Sequence, residues 1–164
     1  MISISFGRLA PIAVVVLACT ASTPASTDQA NAAIDSLNAR LVHAYQARDP
    51  EVYATLYTDS AVFEWPAFNT VRGPAALGAM VRSNWAGERD VDLRLAVTNR
   101  RVIANEATEF GAFQQLWTDS AGVRMIEFGR YVTVLARQRD GSWRIDRFFG
   151  FEDSTRRAAN GNAQ

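Results

Sequence analysis

The stretch Glu127–Ile145, EFGRYVTVLARQRDGSWRI, sets the architecture. Two runs rich in Val, Tyr, Trp and Ile flank Arg139-Asp140-Gly141-Ser142. Asp-Gly between alternating apolar residues is a strong hairpin signal, because glycine takes up positive φ without steric cost. A β-hairpin is therefore predicted here. Toward the N-terminus the period of two continues. Asp119-Ser120-Ala121-Gly122 reads as a turn after ATEFGAFQQLWT, and Asn105-Glu106 as a tight turn after VDLRLAVTNRRVIA. From about Asp90 onward the chain is thus expected to form an antiparallel meander of four strands, the last being SWRIDRFFGF.

Before Asp90 the period is helical. Ile34, Leu37, Leu41, Ala44, Tyr45 and Arg48 form one stripe, which predicts a helix over 32–48. Asp49 is placed to cap a second helix with Pro50 at its first position, extending to Tyr57. AVFEW then reads as a strand, VRG as a brief return, and a third helix follows Gly73-Pro74 with Leu77, Met80, Val81 and Trp85 as its stripe. Helices first and a meander afterwards make the chain α+β, with three helices on the concave face of a strongly curved antiparallel sheet.

The N-terminus follows a different logic. Arg8 precedes an apolar run, Leu9–Ala18, that is too short for a bilayer span of about 20 residues but fits a signal-peptide core. The run ends in Val16-Leu17-Ala18-Cys19, which resembles a bacterial lipobox. Cys19 is the only cysteine, so no disulfide forms within the chain and the thiol stands where a lipid would be attached. The expectation is an exported domain, periplasm-facing or extracellular, anchored to a bacterial membrane by a lipid on Cys19. The alternatives are secretion with cleavage near Ala21 or Ser26, or an uncleaved anchor. Residues 1–19 are then leader, 20–31 a small, polar tether, 32–153 the domain, and 154–164 an unstructured tail.

Composition narrows the partners. The 17 basic residues, all Arg, balance 17 acidic ones, and 48% of residues are hydrophobic. Neither a nucleic-acid footprint nor a disordered acidic composition is present. Nine Phe, four Tyr and four Trp can wall a small core or an apolar pocket.

Three stretches, RDPEVYATLYTDSAVFEWP, VRGPAALGAMV and FGRYVTVLARQRDGSWRI, together resemble the nuclear transport factor 2-like superfamily, in its SnoaL-like and ketosteroid isomerase-like branch. VIANEATEFGAF is similar to that branch's middle hairpin. The resemblance implies a cone, or cystatin-like roll, with an apolar cavity between helices and sheet, commonly a homodimer through the sheet's outer face. It fixes no activity, since one fold hosts enzymes, binders and interaction domains. The positions matching the isomerase's Tyr donor, carboxylate base and third-strand acid are Leu41, Trp65 and Gly129, so all three roles are unfilled. Glu64 is one residue from the base position, on the opposite face of a strand. Phe148-Phe149 stands where SnoaL-like relatives often carry a polar or acidic residue.

Two parities of the meander are open. On one, Glu109, Gly111, Phe113, Gln115 and Trp117 face inward together with Glu127, Gly129, Tyr131 and Thr133. Two carboxylates and a phenol then enter an aromatic cavity, and burial raises carboxylate pKa values toward those of a general acid or base. On the other, Phe110, Ala112, Leu116, Phe128, Val132 and Val134 face inward and both Glu look out. Tyr45, Trp65, Phe113, Trp117 and Phe148 are the candidates to line a pocket, although Tyr45, Tyr53 and Tyr57 read as core rather than as proton donors. Arg130 and Arg147 are either holders of an acidic ligand or solvated strand arginines. His43 lies about 160° from the centre of the first helical stripe and should face solvent. With one His and no Cys in the mature domain, no metal or other cofactor is expected.

The leading functional expectation is a domain that binds a small apolar molecule. The alternatives are a cofactor-free isomerase, cyclase or hydratase using Glu109 or Glu127 with Tyr131 as donor, and a dimeric interaction module whose pocket is filled by its own side chains.

Overall fold

The computed structural model describes residues 26–66 and 69–159. The expected leader with Cys19, residues 20–25 of the tether and residues 160–164 of the tail lie outside the described residues.

Helix α1 spans Thr27–Ala47. It opens at a capping box: the Gln29 backbone N–H donates to the Ser26 hydroxyl at 3.2 Å, and the Ser26 N–H donates back to Gln29 Oε1 at 3.1 Å. Residues 26–31, expected as tether, are therefore cap and first turns. Polar residues suit an exposed first turn, and only Ala30 of that stretch is buried. Of the expected stripe, Ile34, Leu37, Leu41 and Ala44 are buried and Tyr45 is half-buried, whereas Arg48 is exposed as the helix C-cap at φ 53. Asp49 caps α2 (Pro50–Thr55) by accepting from Val52 N at 2.9 Å. This helix ends before Tyr57 because Tyr57 already belongs to β1 (Tyr57–Glu64) and pairs with Ile145. β2 (Val71–Arg72) and α3 (Pro74–Trp85) follow, with Gly73 at φ 77 preceding the helix.

The meander is β3 (Arg89–Ile103), β4 (Glu106–Thr118), β5 (Arg124–Arg137) and β6 (Trp143–Arg157). Gly122 (φ 82) and Gly141 (φ 86) turn two of its three hairpins. The third turns at Ala104-Asn105, one residue earlier than expected, with Ala104 at φ 53. β6 is longer than SWRIDRFFGF suggested. Residues 154–157, expected as tail, continue the strand, because the first half of β5 needs a backbone partner: Met125 pairs with Arg157 and Glu127 with Thr155. Their polar side chains stay exposed, so hydropathy did not mark them as strand.

The six strands form one curved, unclosed sheet in the order β2-β1-β6-β5-β4-β3. One pairing departs from the all-antiparallel expectation: β1 runs parallel to β6. Hairpin neighbours must be antiparallel, but β1 reaches β6 through α3 and the whole meander, so turn geometry does not constrain their direction. The α+β class and the three helices before a curved meander are as expected. α1 is tied to the far half of the sheet by Asn38 to Glu109, Tyr45 to Gln115, and Gln46 to Asp92.

Candidate functional site

Burial resolves the parity of the meander. On β4, Ala107, Glu109, Phe113 and Gln115 are buried, and on β5, Tyr131, Thr133 and Leu135 are, so the face carrying both Glu is the concave one. Phe110 is instead 47% exposed on the outer face. Two glycines make the inner face possible. Gly111 stands opposite Tyr131 and Gly129 opposite Phe113 in the β4–β5 ladder. A Cβ on either would overlap the partner's ring. Each ring therefore lies flat over a cross-strand glycine.

Flat rings also cover the neighbouring strands. Phe148 stacks on Phe63 with centroids 4.9 Å apart and on Tyr131 at 6.1 Å, with interplanar angles of 3° and 8°. The Trp65 ring lies over Gly150. The helices oppose this floor with an edge-on cluster in which Trp85 meets Tyr45 at 5.0 Å and Tyr53 at 5.7 Å. Between floor and roof is a cavity of about 380 Å³. All five aromatic residues expected in the pocket, Tyr45, Trp65, Phe113, Trp117 and Phe148, line it. The interior is not packed solid by its own side chains.

The two carboxylates expected in this cavity have different surroundings. Glu109 is fully buried and does not reach the cavity wall. Its oxygens accept from Asn38 Nδ2 (2.9 and 3.2 Å), Arg100 Nε (2.7 Å) and Nη2 (2.6 Å), and the Tyr131 hydroxyl (2.9 Å). Arg100 is held in turn by Asp35 at 2.7 Å and by the Asn31 carbonyl at 3.1 Å. This corrects the expectation of Glu109 as an acid or base in the cavity: its lone pairs are taken by fixed donors. Tyr131 faces the cavity with its ring, but its proton is committed to Glu109. Burial and the adjacent Glu109 carboxylate push the Tyr131 phenol up in pKa.

Glu127 is the carboxylate the cavity does receive. It stands opposite Gln115 in the ladder, and Gln115 Oε1 accepts from the Tyr45 hydroxyl at 3.0 Å. Burial, reinforced by Glu152 and Glu88, pushes the Glu127 carboxyl up to about 7. Glu88, just before β3, is also raised by burial, with Arg48 opposing the shift. Glu88 and Glu152 line the same cavity. Sequence reasoning missed both: Glu88 sits in a linker without periodicity, and Glu152 lies where the strand was expected to have ended. Trp85 was legible only as a core residue.

The remaining candidates fall outside the cavity. His43 is exposed, as its helical angle predicted. Arg130 pairs with Asp153 on exposed surface, and Arg147 contacts Asp146 and the Ser60 carbonyl. Of the positions matching the isomerase's catalytic residues, Leu41 and Trp65 are apolar walls and Gly129 is the seat of Phe113, while Glu64 is exposed. Among the described residues, no group of three or more His, Cys, Asp or Glu converges to hold a metal ion.

A curved, unclosed sheet over three helices with an aromatic hollow between them is the nuclear transport factor 2-like, cystatin-like class of α+β fold. Within that class the chain belongs to the SnoaL-like domain family, which matches residues 27–148. Solved structures agree on the fold. A ketosteroid isomerase-like protein from Erwinia carotovora atroseptica is 21% identical with a TM-score of 0.68, covering 75% of this chain and 95% of its own. A hexachlorocyclohexane dehydrochlorinase from Novosphingobium barchaimii is 21% identical with a TM-score of 0.67, covering 80% and 91%. A protein provisionally described as a scytalone dehydratase, from Novosphingobium aromaticivorans, is 16% identical with a TM-score of 0.71, covering 82% and 94%. No curated protein gives a significant match.

Proposed function

We propose that this protein is an exported domain, anchored by a lipid on Cys19, that binds a small, largely apolar molecule between its helices and sheet. The observation that carries this reading is the cavity of about 380 Å³ walled by Tyr45, Trp65, Phe113, Trp117 and Phe148. That volume falls within the range of small-molecule sites, about 300 to 1,000 Å³, and an aromatic lining with few polar groups is their usual composition. The outer sheet face, with Phe110 47% and Phe151 44% exposed, is assigned to a homodimer. The reading is tested by native mass spectrometry of the freshly purified protein together with thermal shifts across a panel of aromatic compounds. A carried ligand or a saturable shift is expected. Unchanged stability across the panel, with no carried mass, contradicts it.

One observation favours a second reading, a cofactor-free acid–base enzyme. Glu127 sits in the cavity with its pKa near 7, which suits a general base at neutral pH. Loss of water or of hydrogen chloride from a bound molecule is chemistry that begins with such a base. The dehydratase and dehydrochlorinase among the structural relatives give this reading its candidate reaction type. Glu127 replaces Glu109 as its base, and Tyr131 serves as cavity wall rather than as proton donor. Turnover of a candidate substrate that survives Glu127→Gln contradicts it.

A further inference from the structure

The charge of the cavity is one-sided. Among the described residues that line it, the ionisable carboxylates are Glu88, Glu127 and Glu152, and no Arg or His joins them. This occurs in a protein whose charges balance at 17 against 17. Seventeen arginines were available to neutralise half-buried Glu88 and Glu127 and exposed Glu152, yet those contacting Glu109, Asp153 and Asp146 lie elsewhere. Arg48 acts on Glu88, but it is outside the cavity lining and spends one N–H on the Glu88 backbone carbonyl. Burial and mutual repulsion therefore strain the cluster, with Arg48 opposing this at Glu88 and no cation opposing it at Glu127.

A second, independent feature marks the same corner. Trp85 is only 4% exposed, lines the cavity, and its indole N–H meets no acceptor in hydrogen-bonding geometry, although it lies beside the Tyr45 hydroxyl. Three residues on, Glu88 Oε2 is buried and also lacks a partner. Buried polar atoms are nearly always paired, so two orphans on one cavity wall point to a bound molecule: Glu88 Oε2 calls for a donor, which an ammonium supplies, and the Trp85 N–H calls for an acceptor elsewhere on the same molecule. A bare metal ion does not fit, since the carboxylates do not converge on one point. An organic cation does. Its ammonium can be shared among separated carboxylates, and it gains further attraction from the faces of aromatic rings such as Trp117 and Tyr45.

We infer that the ligand of this cavity is a protonated amine on an aromatic or apolar body, with its ammonium among Glu88, Glu127 and Glu152 and its ring against the aromatic floor. The inference rests on the proposed small-molecule function and specifies its ligand class. The positive charge of the ligand is the missing counter-charge of the cluster. Binding favours ionised Glu127, so the complex forms with release of a proton near neutral pH.

Two matched series test this by calorimetric titration into the full chain: tryptamine, tryptophol and indole-3-acetate, and 2-phenylethylamine, 2-phenylethanol and phenylacetate. In at least one series the amine is expected to bind about tenfold or more tighter than the alcohol, a difference of the size a well-placed charge contact makes. The carboxylate is expected to bind weakest. The amine's binding enthalpy at pH 7 should vary with the ionisation enthalpy of the buffer, reporting the released proton. Glu127→Gln should bring amine and alcohol to within about threefold of each other. Glu152→Gln, at an exposed residue that folding does not need, should shrink the gap in the same direction. An alcohol or carboxylate that binds as tightly as its amine overturns the inference and leaves the binding function standing. Binding by no member of either series overturns both.

Discussion

The ring of Phe113 lies flat over Gly129, its direct cross-strand partner, at a separation that no side chain at position 129 could share. The same device repeats one pair along, where Tyr131 covers Gly111. These glycines are set by close approach: neither is at positive φ, so the constraint is steric rather than conformational. A Cβ at position 129 would meet both the Phe151 backbone carbonyl and the Phe113 ring, so Gly129→Ala should displace both and destabilise the fold by about 1–3 kcal/mol, the range for overpacking. Urea unfolding measures the loss, and a neutral substitution would show that neither close approach is fixed.

Glu109 is the pivot of the buried polar network. Replacing it by Gln leaves the Arg100 guanidinium, whose side chain is 9% exposed, with Asp35 as its only carboxylate. Removing one partner of a buried ion pair strands the other charge, and a loss of about 3 kcal/mol is expected. Tyr131→Phe deletes a single hydrogen bond to the same carboxylate and should cost about 1 kcal/mol. Equal losses for the two variants, measured by denaturant titration, would contradict this division of roles.

Stability should fall with rising pH through one identifiable group. The Glu127 carboxyl is raised to about 7 in the folded protein, above its ordinary value near 4.5. Between those values the folded state holds more protons than the unfolded one, so stability decreases as pH rises from about 4.5 to 7. The charged groups acting on Glu127 are Glu152 from β6 and Glu88 from the α3–β3 link. Glu127→Gln should flatten the profile and raise the melting temperature more at pH 8 than at pH 5. A variant whose profile parallels that of the parent would assign the pH dependence to another group.

How much of this was legible in the sequence follows from what each feature depends on. The hairpins at Gly122 and Gly141 were, because turn chemistry is local. The inward aromatic set was legible as one of two parities, and it stayed ambiguous because the outer face also carries Phe110, Val132 and Val134 where a one-sided sheet would be polar. The sealing of Glu109 was out of reach, since it requires Asn38 from α1 and Arg100 from β3 to meet on β4. Glu152 was hidden because its strand continues through polar residues held by backbone pairing alone. The parallel β1–β6 contact was hidden for a related reason: long connections leave no local signature.

The outer face carries its own expectation. Phe110 and Phe151 are exposed on it, next to Val132 and Phe149 in the β4–β5–β6 ladders. If that face joins two copies, Phe110→Arg should convert the dimer to monomer in light scattering while leaving ligand affinity within about twofold, since a site far from the mutation is usually unaffected. A parent protein that is monomeric at high concentration removes the dimer proposal and leaves the cavity untouched.

Whether the hollow receives a molecule is answered by plugging it. Met80 on α3 lines the cavity, and Met80→Trp adds a ring there without altering the sheet. Fluorescence titration with the tightest compound of the tryptamine and phenylethylamine series should give saturable one-to-one binding to the parent. In Met80→Trp, confirmed folded by circular dichroism, affinity should weaken at least about tenfold, as expected when a well-packed site is blocked. Undiminished binding by the folded, plugged variant would place the ligand elsewhere and contradict the assignment of this cavity as its site.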